Sequence, residues 1–398
     1  MHELEDWLAE FERFPYDQVV DEFHAVGKHF VAAELLQKLD RVRVAVRVLD
    51  GFLETTLDKW DGSYDYQTYL ALGLLPLANL TRDEDVAAAA VQSDRLVVQL
   101  ITDALRFELD SSDGTSPLFP VQTPPPEVVA RRLRLGVRAL QPALGRLGYP
   151  GANDLDDDFE PEQVVRRLCA TVEADRSEAE VLALRLSNLP VWVSHDEYMF
   201  IRILQSFEST FAFLAVCVRA AVKGIGAGDA RNAVSQLALA EARLHEAGRL
   251  FSPLATMQVE AFRTFRMYTE GASAIQSRNY KAVEALCRVP DQERLDSAAY
   301  LSVPDIRTRV LAGQATLDEA VREAGEQGLL DDQLRAEVEQ AMRTFAATLL
   351  RWRQTHYSLA VRMLGDRTGT GYTEGTPYLD RVREIPVFQH LDGERAAP

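Results

Sequence analysis

Apolar residues recur at helical spacing along almost the whole chain, and no stretch alternates apolar and polar residues as a half-buried strand does. Val19, Phe23, Val26, Phe30, Leu35 and Leu39 set the i, i+3, i+4 pattern near the start. The pattern predicts an all-α fold. Helical spacing covers 4–14 and 16–60, and helices are predicted over 84–109, 128–147, 164–187, 196–222, 230–250, 258–269 and 279–287. Residues 304–313 and 316–348 read as a hairpin of polar helices, followed by a long apolar helix through His356. Residues 66–80 are apolar and rich in leucine. Two stretches break the pattern. One is a Pro/Ser/Gly linker, DSSDGTSPLFPVQTPPPE, over 110–127; the other is an acidic loop, GYPGANDLDDDFEPEQ, over 148–163, which reads as the boundary between two halves.

A length of 398 residues leaves room for two domains and ample core. The net charge of −18 disfavours nucleic acid and anionic membrane surfaces as partners. Cys169, Cys217 and Cys287 lie far apart with no CxxC pattern, so neither a disulfide framework nor a structural zinc is expected, and a reducing cytoplasm fits. The opening MHELEDWLAEFERF is acidic and amphipathic, unlike a signal peptide. No apolar run is expected to reach the ~18 residues of a membrane span. A soluble, cytoplasmic protein is the expectation.

The halves carry related segments. TRDEDVAAAAVQSDRLVVQLITDAL, from Thr81, aligns without gaps with SHDEYMFIRILQSFESTFAFLAVCV, from Ser194, and Gln92-Ser93 falls on Gln205-Ser206. An internal duplication follows, with chance similarity of two amphipathic helices as the plain alternative. The expected organisation is a helical segment over 1–60, a degenerate copy over 61–163 and a complete copy over 164–398. The Thr/Ser-x-x-Glu starts at Thr81 and Ser194 predict capping boxes, which makes His195, Asp196 and Glu197 structural residues first.

His356 stands alone on an apolar helix that runs into a glycine-rich loop over 369–375. The pair suggests a ligand beneath a cofactor and a lid. A satisfied core histidine and an ordinary connection are the competing readings.

Three motifs, in order, then carry a family resemblance over about 175–390. His195-Asp196-Glu197, Phe200-Ile201, Gln205 and Glu208 resemble the HDExLFIxxHQxxEL signature of tryptophan 2,3-dioxygenases. Ala255-Thr256-Met257, Phe265-Arg266, Ser273 and Gln276-Ser277-x-x-Tyr280-Lys281 resemble that family's ETM…FR…SGFQSxQYR stretch. Trp352-Arg353-x-x-His356, Arg362-Met363-Leu364-Gly365 and Gly369-Thr370-Gly371 resemble its heme-ligand helix and loop. In the first half, Tyr66-x-x-Tyr69-Leu70 resembles the arm with which one subunit of these enzymes covers its neighbour's pocket.

The resemblance implies a helical bundle of the tryptophan 2,3-dioxygenase type. It implies heme b as cofactor, O2 as co-substrate and an aromatic amino acid as substrate. By position, His356 would ligate the iron, Arg266 and Thr370 would meet the substrate's charged groups, Phe200 and Phe265 would line the ring pocket, and Ser273 would lie beside the heme. Tyr66 and Tyr69 would cover the pocket, within a chain or between chains. A fused pseudo-dimer of two related halves would assemble as a homodimer with one heme per chain.

Departures from the family pattern gather at the ligand. Leu204 stands at the distal histidine's place and cannot accept a proton. Phe262 replaces a tyrosine, Phe251 a tryptophan and Ala274 a glycine, and the loop carries Tyr372 and Glu374. Dioxygenation of tryptophan to an N-formylkynurenine-type product is the leading reading. The alternatives are a monooxygenase or ring-rearranging enzyme on a substituted tryptophan or tyrosine, and a non-catalytic binder of heme or an aromatic ligand.

Overall fold

The computed structural model describes residues 14–45, 49–116, 118–150, 160–365, 375–389 and 391. Among these residues every extended regular element is helical, and the only strand-like pairing is an isolated bridge between Val121 and Ser194. In chain order the first four helices are α1 (Tyr16–Val26), α2 (Ala33–Ala45), α3 (Asp50–Asp61) and the single turn α4 (Tyr66–Tyr69). Then come α5 (Val86–Ser112), α6 (Pro126–Arg146), α7 (Pro161–Ala174), α8 (Glu178–Leu186), α9 (His195–Gly226) and α10 (Ala230–Ala247). The remainder are α11 (Phe251–Leu254), α12 (Val259–Thr269), α13 (Arg278–Cys287), α14 (Gln292–Leu295), α15 (Ala298–Leu301), α16 (Pro304–Leu311), α17 (Leu317–Glu326), α18 (Asp332–Leu364) and α19 (Thr376–Arg383).

The centre of the fold is α9. Its sequence from Phe211 to Val218 is apolar on every side, so it can be stable only where other elements cover it completely. Helices α5, α10, α13 and α17 do so, α18 packs on α10, and α6 and α7 cover α5. The expectation that no apolar run reaches membrane-spanning length needs correction. By length and composition α9 alone, among the described residues, could cross a membrane, but it lies buried as the core helix. The main core runs from Ala78 to Phe388 and draws on both halves of the chain. Residues 14–57 form a smaller core with Leu186 and Leu189.

Several predicted bounds shift, each for a local reason. The pattern over 16–60 divides at Gly27, whose φ is +82° and where a Cβ would meet the Trp192 Cα at 2.6 Å. There Lys28 and His29 donate backbone bonds to Pro190 and Val191. The helix expected over 164–187 divides into α7 and α8 at Ser177, which forms a true capping box with Glu180. The 316–348 helix divides after Glu326, and its second part is the same helix that carries His356, capped by the Asp331 side chain on the Leu334 amide at 2.8 Å.

The capping boxes expected at Thr81 and Ser194 are absent. Helix α5 starts at Val86 with Asp85 as cap, while Asn79 engages Thr81 and Glu84. The Ser194 hydroxyl donates to Gln122, and the Glu197 carboxylate turns away to accept from the Val191 and Trp192 amides at 2.7 and 3.2 Å.

The structural reading of the His-Asp-Glu run holds in a different form. Arg132 of α6, fully buried, donates to Glu108 of α5 at 2.8 Å and to Asp196 of α9 at 2.6 Å. Glu108 also meets His195 at 3.1 Å, and Asp196 accepts the Gln258 amide at the head of α12 at 2.6 Å. One guanidinium thus ties four helices. Arg132→Ala would leave two buried carboxylates facing each other without a cation, and urea unfolding should show a loss of about 3–5 kcal/mol.

A candidate cofactor and aromatic-ligand cavity

Four helical faces and the α4 turn enclose one apolar cavity. Helix α9 contributes Phe200, Leu204, Phe207, Glu208 and Phe211 at i, i+4, i+7, i+8 and i+11. Helix α12 contributes Phe262, Phe265, Arg266 and Thr269, and α18 contributes Trp352, His356, Leu359 and Met363. Phe251 of α11 and the 272–281 stretch complete the wall, with Tyr66 and Tyr69 across it. The cavity has a volume of about 250 Å³ and opens into about 1610 Å³ of free space counted out to its mouth.

His356 stands in an aromatic column. Its ring stacks on Trp352, with centroids 5.4 Å apart, and lies 6.5 Å from Phe251. Trp352 stacks in turn on Tyr280 at 5.9 Å. Among the described residues His356 has neither a hydrogen bond nor an ion pair. Burial pushes its imidazole down to about 4, so at neutral pH the ring is uncharged and keeps a nitrogen lone pair for a ligand. His195, the other histidine in the motifs, is occupied by Glu108.

A second wall is aromatic throughout. The ring centroids of Phe200, Phe262 and Phe265 lie 5.3–5.9 Å apart and tilted to one another. Phe265 is completely buried, so it serves core and wall together. Arg266 follows it on the cavity face of α12. Ser273 caps the next turn, pairing with Gln276. Thr370, with most of the 369–375 loop, lies outside the described residues. Every other residue singled out from the sequence as a ligand, pocket or cover residue lines this one cavity.

The structure adds residues that the motifs alone did not mark as site residues. Phe207 and Phe211 continue the α9 stripe set by Phe200 and Leu204, a spacing visible in the sequence. At the far edge Lys281 donates to Glu284 at 2.8 Å, and Arg294 grips the same carboxylate at 2.9 and 3.1 Å. Arg353 adds a third cation, donating to the Tyr280 hydroxyl at 2.6 Å and to the Ile385 carbonyl. Burial, opposed by Glu284, pulls the Lys281 ammonium down to about 8. Lys281 and Arg353 line the cavity, so its edge carries more buried positive charge than Glu284 neutralises.

Glu208 is the opposite case. It lies on the cavity wall and accepts from the Tyr66 hydroxyl at 3.2 Å and the Asn279 amide at 2.8 Å, with Ser277 a third partner. No cation pairs with it among the described residues. Burial therefore pushes its carboxyl from 4.5 up to about 7. The native state keeps a proton over that range that the unfolded chain releases. The associated stability is complete below about pH 4.5 and is lost as pH rises through about 7. At about 1.4 kcal/mol per pH unit, the loss is on the order of 3 kcal/mol. Urea midpoints measured from pH 5 to 8 should fall in the native protein, and Glu208→Gln should remove that part of the slope.

The fold and cavity define an all-α protein built around an aromatic chamber with one neutral imidazole and a cationic edge. No family model matches the chain. It is 25% identical over 235 residues to the tryptophan 2,3-dioxygenase of Bradyrhizobium diazoefficiens, covering 51% of this chain and 84% of the relative. It is 23% identical over 277 residues to that of Polaromonas naphthalenivorans (60% and 98%) and 26% identical over 244 residues to that of Pseudomonas aeruginosa (52% and 83%). The chain is a distant relative of the tryptophan 2,3-dioxygenase family.

Proposed function

We propose that the protein is a heme-dependent oxygenase acting on tryptophan or a related aromatic amino acid. The observation that carries this reading is the neutral, unpaired imidazole of His356 in an aromatic chamber that also contains Arg266. The residues present fit a heme. Among the described residues no three His, Cys, Asp or Glu side chains converge as a protein-built metal site, so an iron at His356 would draw its other ligands from a macrocycle. Trp352, Phe251, Phe207 and Phe211 offer the flat apolar surface a porphyrin requires. The surplus charge of Lys281 and Arg353 suits its carboxylate side chains. Bound there, ferrous heme supplies activation of O2.

The rest is the work of this chain. Arg266 would clamp the substrate carboxylate, a task that suits a guanidinium because it donates two parallel bonds. Phe200, Phe262 and Phe265 would hold the ring edge-on, and Tyr66 and Tyr69 would keep bulk water out. Leu204 cannot take a proton from the ring. The nearest side chain along α9 that can is Glu208, one helical turn further on. Thr370 would add a contact from the 369–375 loop. The altered ligand wall, with Leu204 and Phe262, favours a substituted tryptophan or tyrosine as a second reading, with a single oxygen inserted or a ring rearranged. We further propose two chains per molecule with one heme each.

Heme reconstitution should give a Soret band that His356→Ala abolishes, and native mass should report one heme per chain in a dimer. Persistence of the band in His356→Ala would overturn the ligand assignment. With L-tryptophan under air, a product 32 mass units heavier marks dioxygenation and one 16 units heavier marks monooxygenation. Unchanged substrate together with a normal Soret band points to another ligand or a binder. Arg266→Ala should raise the KM for L-tryptophan about 10- to 100-fold, the loss of a charge-assisted pair, while leaving the Soret band in place.

A further inference from the structure

The α4 turn and the residues after it lie across the cavity, and both phenols of the turn and the Leu70 carbonyl attach to a single helix, with one further buried bond from the Lys28 ammonium to the Thr68 carbonyl at 3.5 Å. The Tyr69 hydroxyl donates to Glu197 at 3.1 Å, and the Tyr66 hydroxyl donates to Glu208 at 3.2 Å. Between them, the Gln205 amide donates to the Leu70 carbonyl at 2.8 Å and to the Ser187 carbonyl at 2.7 Å. Glu197, Gln205 and Glu208 are all on α9 and all buried. The next residue after the held carbonyl, Ala71, has a φ of +48°, a left-handed conformation that a non-glycine residue rarely holds without fixed neighbours. The outer edge of the turn is bound as well. Gln276 accepts the Tyr66 amide at 3.2 Å through its side chain and the Gln67 side-chain amide at 2.9 Å through its carbonyl.

We propose that Glu197, Gln205 and Glu208 are positioning residues that seat the covering turn, through Tyr69, Leu70 and Tyr66, on the cavity of its own chain. The three polar positions in the α9 motif thereby acquire a common task that spacing alone does not reveal. Burial holds both phenols protonated, so each remains a donor. A chain that supplies both the cover and the wall needs no second copy to complete its cavity. The seat forms from protein groups alone, so its test stands apart from that of the heme reading.

Two measurements on the full chain decide the matter. In hydrogen–deuterium exchange followed by mass spectrometry, Glu208→Ala should speed exchange over 64–72 by about 10-fold or more while α5 and α10 keep their protection. Glu208→Gln, whose amide oxygen still accepts from Tyr66, should restore most of it. Unchanged exchange over 64–72 in Glu208→Ala would overturn the seat. If that variant loses global stability, Tyr66→Phe removes only the donor and should speed local exchange by about 3-fold or more; no change there also overturns it. Second, Gln67→Cys with Gln276→Cys should be joined by a short bismaleimide into a species of single-chain mass. A product of doubled mass, or no cross-link, would show that the cover is not seated in its own chain.

Discussion

A helix with no solvent face must settle every polar group it carries inside the protein, and α9 carries many. Its apolar middle forces burial, and burial makes each unpaired charge expensive. The N-terminal end answers with Arg132, shared between Glu108 and Asp196. Arg202, further on, reaches Asp103 of α5 at 2.7 Å and the Leu184 carbonyl at 2.6 Å. These bonds fix how α5, α6, α8 and α12 approach α9. The same bonds set where α9 and α12 present their aromatic faces to the cavity.

Not all buried charge is balanced alike. At one edge of the cavity Lys281, Arg294 and Arg353 outnumber the single Glu284, whereas Glu208 on the wall has only neutral donors. A protein interior tolerates such imbalance at a cost in stability, and natural chains keep it where a ligand or a protonation state resolves it. The cationic edge suits an anion. The isolated carboxyl favours its neutral form or a donor. Between these extremes the neutral imidazole of His356 fits a ligand that brings its own metal and its own negative charge.

The helical class was legible because the apolar spacing is strong, and the cavity faces were legible wherever the spacing continued along one helix. Phe200 and Leu204 lead directly to Phe207 and Phe211 in this way. The capping boxes at Thr81 and Ser194 were not, although Ser194 does stand at the N-cap of α9: the Thr81 amide and hydroxyl turn to Asn79, two residues back, and the Ser194 hydroxyl turns to Gln122, far off in the chain. The single helix 332–364 was also hidden, because its first turns are polar and its last are apolar, and periodicity reads that change of face as a change of element. Lys281 and Arg353 were in the motifs, but their surplus charge appears only when Arg294 and Glu284 come together in space. Thr370 lies in the part of the loop outside the described residues.

The position of the arm bears on how such a chain relates to its relatives. The resemblance of Tyr66-x-x-Tyr69-Leu70 implies an arm that covers a pocket within a chain or between chains. Here Tyr66 and Tyr69 precede their partners Glu208 and Glu197 in one chain, and the main core runs continuously through both halves. The Gln92-Ser93 and Gln205-Ser206 pairs, which align in the sequence, differ in use. Gln205 holds the arm, whereas Gln92 donates at the surface to the Pro76 carbonyl at 2.7 Å. The same residue type at aligned positions thus serves the covering turn on one helix and a surface loop on the other.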